Sequence, residues 1–312
     1  MKAWRLTAAH EPLVLTEVDE PVAGPGEVVI DVRAASLCHS DVGFLDGTLT
    51  GILGFTPITL GHEIAGVIAS IGADVTSVAV GDRVGVPTAF GGPGQAIDGG
   101  FAEKVKVGAD WVLPLPDGIS FEQAAPATDA GMTAYHALKL GGVTAGTKLG
   151  IIGAGGLGSL AIQFAVGLGA EVYVAEINEA VWDNARGYGA TAVAKDIMEF
   201  ADTGLEVIVD YAGFGTTTAG AIDAVAPKGT VVQVGLGRER ADISSQNVVF
   251  KELRYLGSSA GSHEDCAAVM DLIAAGKASS ILTEIGFDEI GEGIERLQRG
   301  EVVGRLVAVL PE

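Results

Sequence analysis

Cysteine is nearly absent from this chain, whose 312 residues include only Cys38 and Cys266. Two cysteines cannot form the disulfide framework of a small secreted protein or a four-cysteine zinc site. Basic residues are scarce as well: 19 Lys and Arg face 40 Asp and Glu, for a formal net charge of −21. So acidic a surface repels phosphate backbones and anionic lipids, which argues against nucleic-acid and membrane partners. The composition therefore favours a small molecule as the partner.

The N-terminal sequence, MKAWRLTAAHEPLVL, lacks the apolar core of a signal peptide. One uncharged run, residues 149–170, is long enough at 22 residues to span a membrane. It contains seven glycines and follows a strand-turn-helix pattern, which argues against a membrane span. We therefore expect a cytoplasmic protein.

Glycine and apolar residues are abundant, with 46 glycines and 48% hydrophobic residues, so the chain can build a full core with many tight turns. Up to about residue 120, short Val- and Ile-rich runs such as GEVVIDVRAAS are separated by turn clusters, which predicts a folded-over β-barrel. From about residue 124, helical spacing appears and strands then alternate with helices. This alternation predicts the α/β class, with a doubly wound parallel sheet covered by helices on both faces.

A glycine loop, GAGGLG, follows one of these predicted strands and opens a helix. Gly153, Gly155 and Gly158 have the G-x-G-x-x-G spacing of dinucleotide-binding loops. The first glycine permits the tight turn, the second lets a pyrophosphate approach, and the third lets helix pack on strand. The candidate phosphate-binding residues are Gly153, Gly155, Gly156, Leu157 and Gly158. The alternative is a glycine-rich turn that binds nothing.

Glu176 ends the next predicted strand, EVYVAE, 23 residues after Gly153. A carboxylate there accepts hydrogen bonds from the adenosine ribose hydroxyls and repels a 2′-phosphate. Ile177 and Asn178 provide no arginine to hold that phosphate. The sequence therefore predicts NAD rather than NADP as the cofactor.

Three residues with metal-binding side chains lie in separate segments: Cys38 in SLCHSDV, His62 in TLGHEIAG and Asp129 in PATDAGMTAYHAL. Three mixed ligands with a fourth position open are typical of catalytic zinc, and two negative charges would neutralise Zn²⁺. Asp41 is placed to hydrogen-bond the free imidazole nitrogen of His62. Each signal alone also has an ordinary interpretation: a buried cysteine, a His–Glu polar pair and a helix N-cap.

The segments CHSD, GHE, TDAGMTAYHA and GAGGLG, in that order, resemble those of the zinc-dependent medium-chain alcohol dehydrogenases. The aspartate in the third ligand position resembles the bacterial secondary-alcohol dehydrogenases of that family, and the resemblance covers nearly the whole chain. It implies an N-terminal GroES-like catalytic domain completed by the C-terminal tail, with a Rossmann domain between. We expect the bounds 1–128 with 260–312, and 129–259.

The resemblance also implies residue roles. Cys38, His62 and Asp129 match the catalytic zinc ligands, with Glu63 as a nearby carboxylate. Ser40 matches the hydroxyl that relays the substrate proton, with Asp41 supporting the site. The matched cofactor contacts, besides the glycine loop and Glu176, are Thr133 near the nicotinamide, the backbone of Val234, Gly235 and Leu236 at the carboxamide, and Arg305 and His39 at the pyrophosphate.

One part of the family pattern is missing. Residues 85–100, between GDRV and FAEK, contain no cysteine, whereas many members carry a four-cysteine structural zinc lobe there. We therefore expect one catalytic zinc per subunit and no structural zinc. Phe90 in the short replacement loop is a candidate wall of the substrate cleft. The resemblance implies a homo-oligomer, either dimer or tetramer.

The implied activity is reversible hydride transfer between NAD(H) and a primary or secondary alcohol, with the secondary alcohol favoured. Three alternatives stay open from the sequence. They are a zinc-independent enone or quinone reductase of the same fold, a polyol dehydrogenase, and a non-enzymatic NAD-binding sensor.

Overall fold

The computed structural model describes residues 1–311 as two compact units. The first unit is Met1–Asp129 with residues 266–311, and the second is Ala130–Asp265. The strands are β1 (Lys2–Leu6), β2 (Val14–Glu17), β3 (Glu27–Leu37), β4 (Ile58–Thr59), β5 (Glu63–Ile71), β6 (Arg83–Val86), β7 (Lys104–Gly108), β8 (Leu113–Pro114), β9 (Lys148–Ile152), β10 (Glu171–Ala175), β11 (Ala192–Ala194), β12 (Val207–Asp210), β13 (Thr230–Gln233), β14 (Arg254–Gly257), β15 (Leu282–Gly286) and β16 (Arg305–Val309). The expected bounds of the catalytic and Rossmann domains, 1–128 with 260–312 and 129–259, stay predictions.

The α-helices are α1 (His39–Leu45), α2 (Phe121–Pro126), α3 (Met132–Gly141), α4 (Gly158–Gly167), α5 (Trp182–Gly187), α6 (Thr216–Ala224), α7 (Ser245–Phe250), α8 (His263–Ala274) and α9 (Ile290–Gln298). A π-helical turn, Ala127–Gly131, joins α2 to α3. Short 3₁₀ turns are Thr50–Ile52, Ala109–Trp111, Glu179–Val181, Ile197–Thr203 and Phe287–Glu289. Between Tyr188 and Leu205 only β11 and the 3₁₀ turn Ile197–Thr203 form. Within residues 1–311, no helix combines the length and apolar character needed to cross a bilayer.

The first unit is built around β3, which is long enough to pair with three other strands. Its beginning pairs with β7 and its end with β16, while β5 runs along its other edge, all antiparallel. Register shifts between β3 and β5 bend the sheet, as β-bulges do. The order β15-β16-β3-β5-β6-β8 with β7 against β3 confirms the folded-over β architecture. Its inner face buries large apolar side chains, among them Phe44, Ile64, Phe101 and Leu306.

The C-terminal tail completes this unit, because β16 lies between β3 and β15 in the sheet. Helix α9 carries its apolar side chains on one face and buries Ile290, Ile294 and Leu297 in the same core. Residues after 300 therefore stand beside residues near position 36, as the register of Leu306 with Leu37 shows.

The second unit contains a six-stranded parallel sheet in the order β11-β10-β9-β12-β13-β14. The chain begins the sheet at β9, adds β10 and β11 on one side, then returns to place β12 on the other. Ligands of such sheets bind beyond the carboxyl ends of the strands at this switch point. This confirms the doubly wound sheet and directs attention to the residues that follow β9, β10, β12 and β13.

Candidate active site

Cys38, His62 and Asp129 come together in the first unit. Cys38 follows β3 and caps α1, and His62 directly precedes β5. Asp129 lies in the π-helical turn, a distortion often found at functional sites. Asp129 Oδ2 lies 3.8 Å from Cys38 Sγ and 3.6 Å from His62 Nε2. Three segments distant in sequence thus contribute one polar atom each to a single point.

The spacing of these atoms fits a metal ion. The candidate ligand atoms of Cys38, His62, Glu63 and Asp129 all lie within 4.8 Å of one another. Zinc bonds of about 2.0–2.3 Å in a tetrahedron place ligand atoms roughly 3.3–3.8 Å apart. The Asp129 contacts have this spacing before any ion is present. A thiol, an imidazole and a carboxylate are also the ligand types that catalytic zinc uses.

Asp41 holds His62 in place. It is fully buried, and its Oδ2 accepts a 2.9 Å hydrogen bond from the backbone N–H of Cys38. Its Oδ1 lies 3.3 Å from His62 Nδ1, and neither atom has another polar partner among residues 1–311. A carboxylate that faces the nitrogen away from the metal side can orient the ring, and this role of Asp41 stays a prediction.

The protonation of His62 reflects this surrounding charge. Burial opposes the imidazolium, but the charge of Asp41 and hydrogen bonds to Asp129, Asp41 and Cys38 outweigh it, so the pKa of His62 is raised well above its usual value. Burial likewise opposes ionisation of Asp129, yet its bond to His62 leaves the pKa of Asp129 below its usual value. Metal ligands must be deprotonated, so a metal binding here would displace the proton of His62.

Glu63 carries a second buried carboxylate toward the cluster. Its Oε1 accepts a hydrogen bond from Arg305 Nη2, and Arg305 Nε donates to Ser36 Oγ at 3.3 Å. Burial raises the pKa of Glu63 to about 7, and the Arg305 guanidinium opposes that rise. Glu63 Oε2 is buried without a hydrogen-bond partner among the described residues. One oxygen of Glu63 is therefore anchored while the other is available within the ligand cluster.

The glycine loop of the second unit follows β9 and opens α4, as predicted. Gly153 has a φ of 89°, which favours glycine. A Cβ at Gly158 would lie 1.8 Å from the Gly153 carbonyl oxygen, whereas a Cβ at Gly155 would meet nothing within 4 Å. The N–H groups of Gly155, Gly156 and Leu157 have no partner among residues 1–311. The loop thus presents unpaired donors at an open approach, which suits a pyrophosphate.

Glu176 stands directly after β10 and is bound to this loop. Its Oε2 accepts from the Ala154 N–H and its Oε1 from the Asn178 N–H, both at 2.7 Å. The two bonds hold the carboxylate beside the loop at the carboxyl end of the sheet. This is the position from which an acidic side chain reaches an adenosine ribose.

The segment Val234–Leu236 follows β13 at the same end of the sheet. The Val234 carbonyl and the Leu236 N–H take part in no hydrogen bond with residues 1–311. One acceptor and one donor in neighbouring residues complement an amide group, which offers an N–H donor and a carbonyl acceptor. The contact of this backbone with a nicotinamide carboxamide, expected from the sequence, stays a prediction.

Comparison with known proteins identifies the family to which this chain belongs. Residues 24–117 match the alcohol dehydrogenase GroES-like domain and residues 156–275 the zinc-binding dehydrogenase domain. An alcohol dehydrogenase of Geobacillus stearothermophilus is 30% identical over 98% of this chain and 99% of its own length. This chain belongs to the zinc-type medium-chain alcohol dehydrogenase family.

Solved structures agree with this family assignment. The alcohol dehydrogenase of the archaeon Aeropyrum pernix superposes with a TM-score of 0.92 at 28% identity, over 99% of this chain and 100% of that one. Acetophenone reductase from Geotrichum candidum, solved in complex with NAD, also gives 0.92 at 28% identity, over 99% and 97% of the two chains.

The remaining residues matched to this alcohol dehydrogenase family are placed as follows. Ser40 is half-buried with its Oγ 3.7 Å from Cys38 Sγ, and the neighbouring His39 is exposed. Thr133 is buried on α3. Arg305 is only 4% exposed and is bound to Glu63 and Ser36. The roles expected of these residues toward the substrate proton and the cofactor stay predictions.

Sequence reasoning missed two buried polar clusters in this dehydrogenase. It assigned Arg305 to the pyrophosphate and did not pair it with Glu63, which lies 242 positions away. It also passed over Asp210, a fully buried carboxylate at the end of β12 that is hydrogen-bonded to Thr217 and Thr218. The only signal for Asp210 is an acidic residue that closes an apolar strand, VIVD, three positions before a glycine.

Proposed function

We propose that this protein is an NAD-dependent zinc alcohol dehydrogenase that also reduces carbonyl compounds. It transfers hydride reversibly between NAD(H) and a primary or secondary alcohol, with the secondary alcohol favoured. The observation that carries this proposal is the convergence of Cys38 Sγ, His62 Nε2 and Asp129 Oδ2. The unpaired donors of the glycine loop support the nucleotide part.

Cys38, His62 and Asp129 would hold the zinc ion, which when bound acts as a Lewis acid toward an alcohol or carbonyl oxygen. Asp41 keeps the imidazole of His62 oriented through Nδ1. Ser40 Oγ, half-buried beside Cys38, would accept the alcohol proton and donate its own hydroxyl proton toward the nicotinamide ribose. Glu63 brings a further carboxyl group close to the ligands, and Arg305 restrains one of its oxygens.

Cofactor recognition follows the residues of the second unit. The glycine loop would hold the pyrophosphate of NAD, the redox cofactor that accepts or donates the hydride when bound. The carboxylate of Glu176 would bind the adenosine ribose hydroxyls and exclude a 2′-phosphate. Thr133 and the backbone of Val234–Leu236 would position the nicotinamide, and Arg305 and His39 are the candidate pyrophosphate contacts of the first unit.

A ketone or a secondary alcohol is the favoured substrate. A solved relative of this chain is named an acetophenone reductase, which supports a ketone as the carbonyl partner. Phe55 and Phe90 are exposed aromatic side chains of the first unit, 44% and 71% accessible, and are the candidate walls of an apolar substrate cleft. A polyol dehydrogenase would present mainly polar groups instead.

We also propose one zinc ion per subunit. Among residues 1–311, the Cys38 cluster is the one group of three or more potential ligands close enough to share an ion. Residues 85–100, where many relatives carry a structural zinc lobe, contain no cysteine. The homo-oligomeric state and the cytoplasmic location expected from the sequence stay predictions.

Zinc content measured by elemental analysis tests this proposal, and the two cysteines provide a matched pair. We expect about one equivalent per subunit in the wild type and in Cys266→Ser, and close to none in Cys38→Ser, since both thiols are buried but only Cys38 adjoins His62 and Asp129. Chelation should abolish NAD-dependent oxidation of a secondary alcohol such as 1-phenylethanol.

Zinc content, cofactor binding and substrate assays together distinguish the alternative functions. Wild-type protein that lacks zinc yet oxidises NADH with an enone would be a zinc-independent reductase. A preference for polyols over 1-phenylethanol would indicate a polyol dehydrogenase. Binding of NADH without turnover of any alcohol or ketone would indicate a sensor. Full zinc content in Cys38→Ser would contradict the ligand assignment.

A further inference from the structure

Asp210 occupies the switch-point end of β12 and joins three segments of the second unit. Its side chain is fully buried. Oδ1 accepts hydrogen bonds from the N–H groups of Ala212 and Gly213, at 3.0 and 2.9 Å. Oδ2 accepts from the hydroxyls of Thr217 and Thr218 in the first turn of α6, both at 2.9 Å. One carboxylate thus holds the loop after β12 onto the start of the next helix.

The backbone carbonyl of Asp210 holds the neighbouring segment as well. It accepts from the N–H groups of both Val234 and Gly235, each at 3.0 Å. These two bonds occupy the donors of Val234 and Gly235 and leave the Val234 carbonyl and the Leu236 N–H without partners among the described residues. The hydrogen-bonding pattern offered to a ligand by Val234–Leu236 is therefore set by Asp210.

Gln233 links helix α6 to the segment Val234–Leu236. The Thr218 hydroxyl lies 2.9 Å from both Asp210 Oδ2 and Gln233 Oε1, and Gln233 Nε2 donates to the Gly235 carbonyl at 2.6 Å. The one proton of the Thr218 hydroxyl is shared between these two acceptors, and this chain of contacts runs from α6 through Thr218 and Gln233 to Gly235. Such a chain fixes a backbone position more firmly than one contact does.

The two loops held in this way touch each other closely. A Cβ at Gly213 would lie 1.9 Å from the Gly235 carbonyl oxygen, and a Cβ at Gly235 would lie 2.5 Å from the Tyr211 carbonyl oxygen. The Arg238 N–H also donates to the Gly213 carbonyl at 2.8 Å. Movement of the loop after β12 would therefore be transmitted directly to Val234–Leu236.

We infer that Asp210, Thr217, Thr218 and Gln233, here called the Asp210 clamp, are positioning residues for the nicotinamide end of the cofactor. The inference rests on the proposed NAD-dependent function. These four residues act through the backbone of Val234–Leu236. The clamp holds in place the segment that carries the unpaired backbone acceptor of Val234 and donor of Leu236. The adenosine and pyrophosphate contacts lie in other segments, at Glu176 and the glycine loop, so the clamp acts on one end of the cofactor only.

Comparison of NADH with ADP-ribose tests this directly, because ADP-ribose contains every part of the cofactor except the nicotinamide. Thr218→Val keeps the shape of the side chain and removes the hydroxyl. We expect it to weaken NADH binding about tenfold and ADP-ribose binding less than about twofold, as measured by calorimetry on the full-length protein. Thr218→Ser should restore NADH binding, and Thr216→Val, at an exposed position in the same helix turn, should leave both affinities unchanged.

Gln233→Met severs the clamp at its half-buried end and should reproduce the selective loss, which keeps the test valid if Thr218→Val folds poorly. Equal weakening of both ligands, or no weakening of either, in both variants would overturn the clamp. Wild-type protein that binds neither NADH nor ADP-ribose would refute the proposed function instead.

Discussion

The metal-ligand cluster of the first unit is assembled from side chains far apart in the chain, whereas the glycine loop of the second unit is one short segment. Cys38 and Asp129 are 91 positions apart, and Arg305 lies 242 positions from Glu63. The loop Gly153–Gly158 spans six residues and presents backbone N–H groups. The cluster therefore depends on the packing of a whole unit, while the loop depends chiefly on local backbone sterics.

Charge is handled differently in the two regions. The cluster buries acidic groups together and offsets them with His62, Arg305 and, in the proposed enzyme, a metal ion. The glycine loop contains no charged side chain and offers only peptide dipoles and helix-end donors. In a chain of net charge −21, these donors are a local source of positive potential for a phosphate group.

The largest effect is expected from alanine at Gly158. Its Cβ would lie 1.8 Å from the Gly153 carbonyl oxygen, so the loop and α4 must separate. We expect a loss of about 3 kcal/mol or more in the free energy of unfolding, measured by chemical denaturation. Gly155→Ala is the matched variant, because its Cβ meets no atom. It should keep stability within about 0.5 kcal/mol of wild type and weaken NADH binding about tenfold by filling the approach to the phosphates.

This pair of variants tests whether the glycine loop depends on local backbone sterics. Equal stability of Gly158→Ala and Gly155→Ala would mean that the loop geometry does not depend on backbone sterics. Unchanged NADH affinity in Gly155→Ala would mean that the pyrophosphate approaches elsewhere.

A smaller effect is expected from Glu176→Ser. The change removes the carboxylate that binds the Ala154 and Asn178 N–H groups and that we propose to bind the ribose. The preference for NADH over NADPH should fall by about 10- to 100-fold, the value of one or two charge-assisted hydrogen bonds. Steady-state kcat/KM with each cofactor measures it, and Glu179→Ser, an exposed acidic residue three positions later, is the control. Unchanged discrimination would show that Glu176 does not face the ribose.

The last effect is on stability alone and is expected at Asp265. It tests whether a non-local charged cluster can be stable without a metal. Burial alone would raise the pKa of Asp265, but hydrogen bonds from Lys139, His136 and the Ser262 N–H lower it to about 2. Because the folded-state pKa is depressed, the stabilisation is complete above about pH 4 and is lost as the pH falls toward 2.

Asp265→Asn should therefore lower the free energy of unfolding by about 2 kcal/mol at pH 7 and flatten its decline between about pH 4 and 2. Asp271→Asn, an exposed carboxylate on the same helix, should change neither. A pH dependence that survives in Asp265→Asn would assign the acid sensitivity to other carboxylates, such as those of the metal cluster.

The sequence predicted the second unit better than the first. A parallel sheet, a glycine loop and an acidic residue after β10 follow from strand and helix periods and from glycine spacing, which are local properties. For the metal cluster, the individual residues were identified, but Cys38, His62 and Asp129 each had an ordinary alternative. Only their combination in a family pattern favoured zinc over those alternatives.

The chain sequence by itself determined the order of strands and helices, the glycine loop and the types of ligand available, because these depend on residues within a few positions of one another. Tertiary structure decided that Arg305 restrains Glu63, that Asp41 faces His62, and that Asp210 joins the loops after β12 and β13. Each of these contacts buries polar groups from segments that meet only when the sheets form. Burial strengthens these polar contacts, and the burial of a residue cannot be inferred from its neighbours in sequence.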